Sequence, residues 1–223
     1  ELRGELDRLG VGKVGMVGKC RPDQLDREML REALELGVFR LYLGIENGSE
    51  AGLRHLGRKH DLASCVRSLE LFREVGMFAC YNMLIFEPWT SFEDLEQNLA
   101  FMARATDFPS NFCRAEVYSG TRLQQDLIKA GRLRGTYLGF NYLIEDQRAE
   151  LAFRLVATCF KTRNFTTDGV ANMSTGMGYE GAVLRYFYGG DAVARELADG
   201  VDTLTVAIND DTVARLGELL AYA

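Results

Sequence analysis

Short apolar runs alternate with amphipathic helical patterns along the first 140 or so residues. The runs are KVGMVGK (13–19), FRLYLGI (39–45), MFACYNMLIF (77–86) and NFCRAEVY (111–118). None alternates cleanly between apolar and polar positions, as expected of strands covered on both faces. After RPDQLD, Asp23 is placed to cap a helix whose apolar face is Leu25, Met29, Leu30, Ala33 and Leu36, and Gly37 stops it. A second helix is predicted over 61–75, closed by Gly76, a third from about Ser91, and a fourth from about Thr121 to Gly131. Strands separated by single helices run parallel with right-handed crossovers, which gives an open doubly wound sheet or an arc of a β/α barrel. Four strands cannot close a barrel.

Beyond residue 140 the strand signals fade and helical patterns take over, so the chain divides into an α/β part, 1–140, and a mostly helical part, 141–223. VDTLTVAI (201–208) reads as a strand or an apolar link, and 210–223 as a final helix. FTTDGVANMSTGMGYEG (165–181) reads as a polar, glycine-rich loop carrying Met173 and Met177. It is either a connection between packed helices, the plainer reading, or a lid over a substrate.

Composition narrows the classes. Hydrophobic residues are 47% and charged residues 26%, the range of a soluble globular fold. The net charge of -6 comes without a basic tract, which argues against a nucleic-acid partner. No apolar run reaches the ~18 residues that span a bilayer, and no signal-peptide pattern opens the chain, so no membrane association and a cytoplasmic location are expected. Five widely spaced cysteines suggest neither a disulfide framework nor a zinc pair, and His55 and His60 lack partners at ligand spacing, so no metal site is expected. No G-x-x-x-x-G-K-[ST] loop and no G-x-S-x-G elbow is present.

Parallel β/α architectures place their sites at the carboxyl ends of the strands. Those ends carry Lys19, Cys20 and Arg21, then Glu46 and Asn47, then Glu87 and Trp89, then Tyr118, Ser119 and Thr121. An ionised Glu46 only accepts hydrogen bonds and suits a ribose diol, although a helix cap would use the same residue type. Arg58 offers a planar fork for a carboxylate or phosphate, although a lone arginine is commonly a solvated charge.

The order of four segments resembles the carboxyl-terminal part of the core domain of the radical S-adenosylmethionine superfamily, closest to its cobalamin-binding enzymes. They are RPDQLDREMLREALELGVFRLYLGIENGS, LRHLGRKH, CYNMLIFEPWTSFEDLEQNLAF and AEVYSGTRLQQDLIKAGRL, within residues 11–133. The resemblance implies a partial, TIM-like β/α barrel with parallel strands. Where the family has GIESGS this chain has GIENGS, which would set Glu46 against the ribose hydroxyls of S-adenosylmethionine and Arg58 against its methionyl carboxylate. Asn82, Met83, Leu84 and Ile85 would lie by the adenine. Tyr118 falls in YSGTRL, where the family has YPGTPL. The family's NFILGFPGET reads NMLIFEPWTS here, so Phe86 and Trp89 replace glycines that let adenine approach the backbone.

The resemblance further implies a 4Fe-4S cluster held by a C-x3-C-x2-C set, a spacing that residues 1–223 do not contain. The chain is therefore expected to be a fragment, inactive alone, of an enzyme that reductively cleaves S-adenosylmethionine. That parent would draw electrons from a donor such as flavodoxin or ferredoxin. With cobalamin it would perform methyl transfer or a ring-forming oxidation on a small molecule or peptide. A methylthiotransferase without cobalamin, and a non-catalytic β/α module that binds a nucleotide or a partner, are the alternatives.

Overall fold

The computed structural model describes residues 2–223. After helix α1 (Leu2–Arg8), strand β1 (Met16–Cys20) leads through a 3-10 turn, Pro22–Gln24, into α2 (Arg27–Leu36). Then come β2 (Val38–Glu46), α3 (Glu50–His55), α4 (Leu62–Val75), β3 (Phe78–Phe86), α5 (Phe92–Ala103) and β4 (Ser110–Arg114). The four strands pair in chain order, all parallel, as one unclosed sheet. This is the expected partial barrel.

Local chemistry sets the boundaries. α2 begins at Asp26, whose carboxylate accepts from Met29 N at 2.8 Å. The expected cap, Asp23, is instead held in the turn by Arg21, because Pro22 starts a separate 3-10 segment that delays the helix. Asp61 caps α4, Ser91 and Asp94 form a reciprocal capping box on α5, and Thr121 caps α6 (Arg122–Lys129).

Alternation along the strands divides the sheet into two faces. Leu41, Leu43 and Ile45 on β2 and Tyr81, Met83 and Ile85 on β3 are buried in the outer layer with Leu30, Leu69, Phe72 and Leu95 from the helices. The intervening positions, among them Tyr42, Glu46 and Asn82, form the inner, concave face.

The chain continues through a small antiparallel hairpin, β5 (Arg134–Thr136) and β6 (Gly139–Asn141), which the hydrophobic pattern did not announce. Helices α7 (Gln147–Cys159), α8 (Lys161–Asn164), α9 (Val170–Tyr188) and α10 (Ala192–Tyr222) complete it. Tyr142 bridges the two parts, its hydroxyl donating to Phe86 O at 3.0 Å and Ala115 O at 2.7 Å.

Two expectations for this region fail. VDTLTVAI lies inside the single helix α10, where Ala198, Thr205, Asn209 and Thr212 are buried on one face by a three- to seven-residue spacing. Most of 165–181 is α9, not a loop. Its small residues Ala171, Ser174, Gly178 and Ala182 recur at three- to four-residue intervals and are buried, so they form a packing seam. A Cβ on Gly178 would stand 2.7 Å from Pro109 and 2.8 Å from Phe78. Tyr186 and Phe187 surround Phe39. These partners sit where the strands begin, so α9 covers the amino end of the sheet and no lid from it lies over the carboxyl ends.

Candidate functional site

Glu46 ends β2 in a left-handed backbone conformation, φ 68°, the one non-glycine with positive φ among the described residues. L-residues other than Asn and Asp rarely adopt it, and such strain persists where the surroundings over-determine the backbone. The surroundings are an amide lattice. Asn47, 1% exposed, donates to Leu84 O at 3.1 Å, while its Oδ1 accepts from Ser49 N at 2.9 Å and from Asn98 Nδ2 at 3.1 Å. Asn98 in turn accepts from Gly48 N at 2.7 Å. Gly48 is required there, since a Cβ would stand 2.6 Å from Phe101.

Ser49 caps the short α3, and Gly57 (φ 68°) turns the chain so that Arg58 N donates to Leu53 O at 2.8 Å. That return brings Arg58 Nη2 to 3.2 Å from Glu46 Oε1. The pair lines a hollow of about 470 Å³ together with Lys19, Tyr42, Lys59 and His60. The Lys19 ammonium lies 5.5 Å from the Tyr42 ring centre. A ring nitrogen of the buried His60 lies 3.3 Å from Ile45 O, fixing the last turn of strand from beneath.

On β3, Asn82 is exposed on the concave face beside the hollow, and Leu84 shares that face. Met83 and Ile85 are 0% and 1% exposed, packed in the outer layer. The alternation of the strand turns both side chains away from the concave face, and only their backbone reaches the inner side. Tyr118 lies elsewhere: it is 63% exposed, its hydroxyl on Glu116, and it lines a separate hollow beyond β4.

Sequence reasoning passed over His55 and undervalued Glu87. Glu87 is fully buried at the end of β3, with His55 Nδ1 2.8 Å from Oε1 and Trp89 N donating to Oε2 at 2.8 Å. Burial raises its pKa, opposed by the Trp89 N–H and by His55. The run GVGKVG (10–15) has the spacing of a dinucleotide fingerprint, but it precedes a strand instead of following one. Gly15 packs against Phe187 at the amino end, far along the strand from Glu46.

All five cysteines are free, and among the described residues no group of three or more His, Cys, Asp or Glu could hold a metal ion. Burial pushes the thiols of Cys20 and Cys65 up to about 12 and that of Cys113 to about 11, so they are protonated at neutral pH. These residues do not fit an iron–sulfur cluster. The hollow does fit the two ends of a nucleoside bearing an amino acid: an acceptor for a diol and a guanidinium fork for a carboxylate.

Residues 3–102 match the Radical SAM superfamily. No curated protein matches the chain significantly in sequence. Among solved structures, the cobalamin-dependent S-adenosylmethionine radical enzyme OxsB with aqua-cobalamin and S-adenosylmethionine bound has a TM-score of 0.56 and 12% identity, covering 89% of this chain and 34% of its own. The radical S-adenosylmethionine methyltransferase TsrM from Kitasatospora setae has a TM-score of 0.49 and 19% identity over 58% of this chain and 27% of its own. The chain spans about a third of the length of OxsB, and the likeness at this identity is one of fold.

Proposed function

We propose that this chain, with a radical SAM segment over residues 3–102, holds S-adenosylmethionine in the hollow at the carboxyl ends of β1 and β2. The observation that carries the reading is the return of Arg58 to a strained Glu46 across that hollow. Glu46 accepts from the ribose hydroxyls and Arg58 binds the methionyl carboxylate, each by a charge-assisted contact that replaces their mutual pair. Asn82, Leu84 and the backbone of 83–85 flank the adenine.

The whole enzyme's activity is proposed from its relatives. In the whole enzyme a 4Fe-4S cluster would supply the electron that cleaves S-adenosylmethionine, and its thiolate ligands would come from outside the cysteines of this chain, which lack the C-x3-C-x2-C spacing. This chain's residues bind and orient the sulfonium cofactor. Cobalamin dependence is supported by the bound state of OxsB, and with it methyl transfer or ring-forming oxidation of a small molecule or peptide, fed by a flavodoxin- or ferredoxin-type donor. A cytoplasmic location belongs to the same proposal. No helix among the described residues is long and apolar enough to cross a membrane.

Calorimetric titration with S-adenosylmethionine tests the binding site. Glu46→Ala and Arg58→Ala are each expected to cost ~1.5–3 kcal/mol of affinity, the contribution of one charged hydrogen bond. Because the two side chains also bind each other, the double variant is expected to lose less than the sum. Unchanged affinity in both single variants overturns the assignment.

A further inference from the structure

Arg114 closes β4, and none of its interactions neutralises it. Its guanidinium carbon lies 3.9 Å from the ring centre of Tyr142 and 4.4 Å from that of Phe153, so aromatic side chains clasp it from two sides. One terminal nitrogen, Nη2, donates to Tyr142 O. Nε is enclosed with no acceptor, and among the described residues this side chain's hydrogen bond goes to a carbonyl, not to a carboxylate. Buried or half-buried arginines ordinarily have an anionic partner. The other terminal nitrogen, Nη1, has no protein acceptor among the described residues.

The same residue lines a hollow of about 790 Å³ between the end of β4, the β5–β6 hairpin and α7. Its remaining walls mix apolar and aromatic side chains, Val117, Phe140, Phe153 and Phe165, with the polar Ser119 and Asn141. The acidic group in its lining, Glu116, is occupied by the Tyr118 hydroxyl. Tyr137 and Leu138 at the hairpin tip are 78% and 95% exposed.

We propose that this hollow is a second binding site, which takes a small molecule carrying a carboxylate on an apolar or aromatic body, with Arg114 as its anion receptor. The aromatic clasp holds the guanidinium plane in place before the ligand arrives, so little side-chain freedom is lost on binding. A carboxylate meeting Nη1 supplies the missing counter-charge, and the apolar body is covered by Phe140, Phe165 and Val117. The site deepens the reading above by naming a substrate class, yet its occupancy does not require S-adenosylmethionine.

The test follows the Arg114 Nε–Hε resonance of the 223-residue chain, assigned by its disappearance in Arg114→Lys, during titration with benzoate and separately with benzamide. Benzamide keeps the ring and shape but lacks the charge. Benzoate is expected to shift the resonance saturably and to bind at least about tenfold more tightly than benzamide, a difference of one order in Kd. No saturable shift with benzoate, or equal affinity for the two probes, overturns the proposal; should Arg114→Lys fold poorly, Arg114→Gln supplies the assignment. A chain that fails to bind S-adenosylmethionine but still discriminates the probes would separate this site from the first.

Discussion

Glu46 lets strain and charge be separated by substitution. Glycine adopts φ near 68° freely and alanine does not, while both lack the carboxylate. Glu46→Gly is therefore expected to be more stable than Glu46→Ala by about 1 kcal/mol in urea denaturation, with the same loss of cofactor affinity. Equal stabilities would mean that the backbone is not strained there. Glu87 gives a pH signature. Its pKa is raised by burial, so its contribution to stability is fullest below the ordinary carboxylate range and is lost as pH rises through the raised value. Glu87→Gln lacks that loss, so across urea midpoints from pH ~4 to ~7 it should gain on the wild type. Parallel curves for the two proteins would contradict this. Glu46 stood out in the sequence because residue type and strand end coincide, whereas Arg58, beyond α3, was set beside it only by the family resemblance. The lattice from Asn47 to Asn98 was not legible, because a hydrogen bond across fifty positions leaves no local pattern. The facing of Met83 and Ile85 was open to reading from Asn82, the one polar position in MFACYNMLIF, which marks the inward phase of an otherwise apolar strand.

Among the elements, α9 shows how one residue type carries opposite meanings. Its glycines suggested a loop, since glycine is costly inside a helix. Gly178 is there because the helix crosses Phe78 and Pro109 too closely for a methyl group, whereas Gly176 is exposed with nothing within 4 Å of a Cβ. Gly176→Ala is thus expected to stabilise the protein by up to ~1 kcal/mol through helix propensity. Gly178→Ala should destabilise it by ~1–3 kcal/mol despite the same propensity gain, because the overpacked sheet must shift. Thermal melts that moved in the same direction for both would show that the seam is not tight. Helix 62–75 was readable to within a residue because cap, apolar stripe and stop signal agree, and for helix 92–103 the cap at Ser91 fixed the start. The hairpin 134–141 was not readable, since its strands are three residues long and mostly exposed.

For the molecule as a whole, strand direction followed from the strand–helix rhythm, while the sequential order followed from the family resemblance, since the rhythm fits a doubly wound sheet equally well. The placement of the helical tail followed from neither, because nothing local to residues 170–188 states that Phe39, Phe78 and Pro109 await them. That placement matters for traffic. With aromatic side chains packed across the base of the curved sheet, a guest reaches the concave face from the rim or from the open flank beside β1, and not along the strands from below.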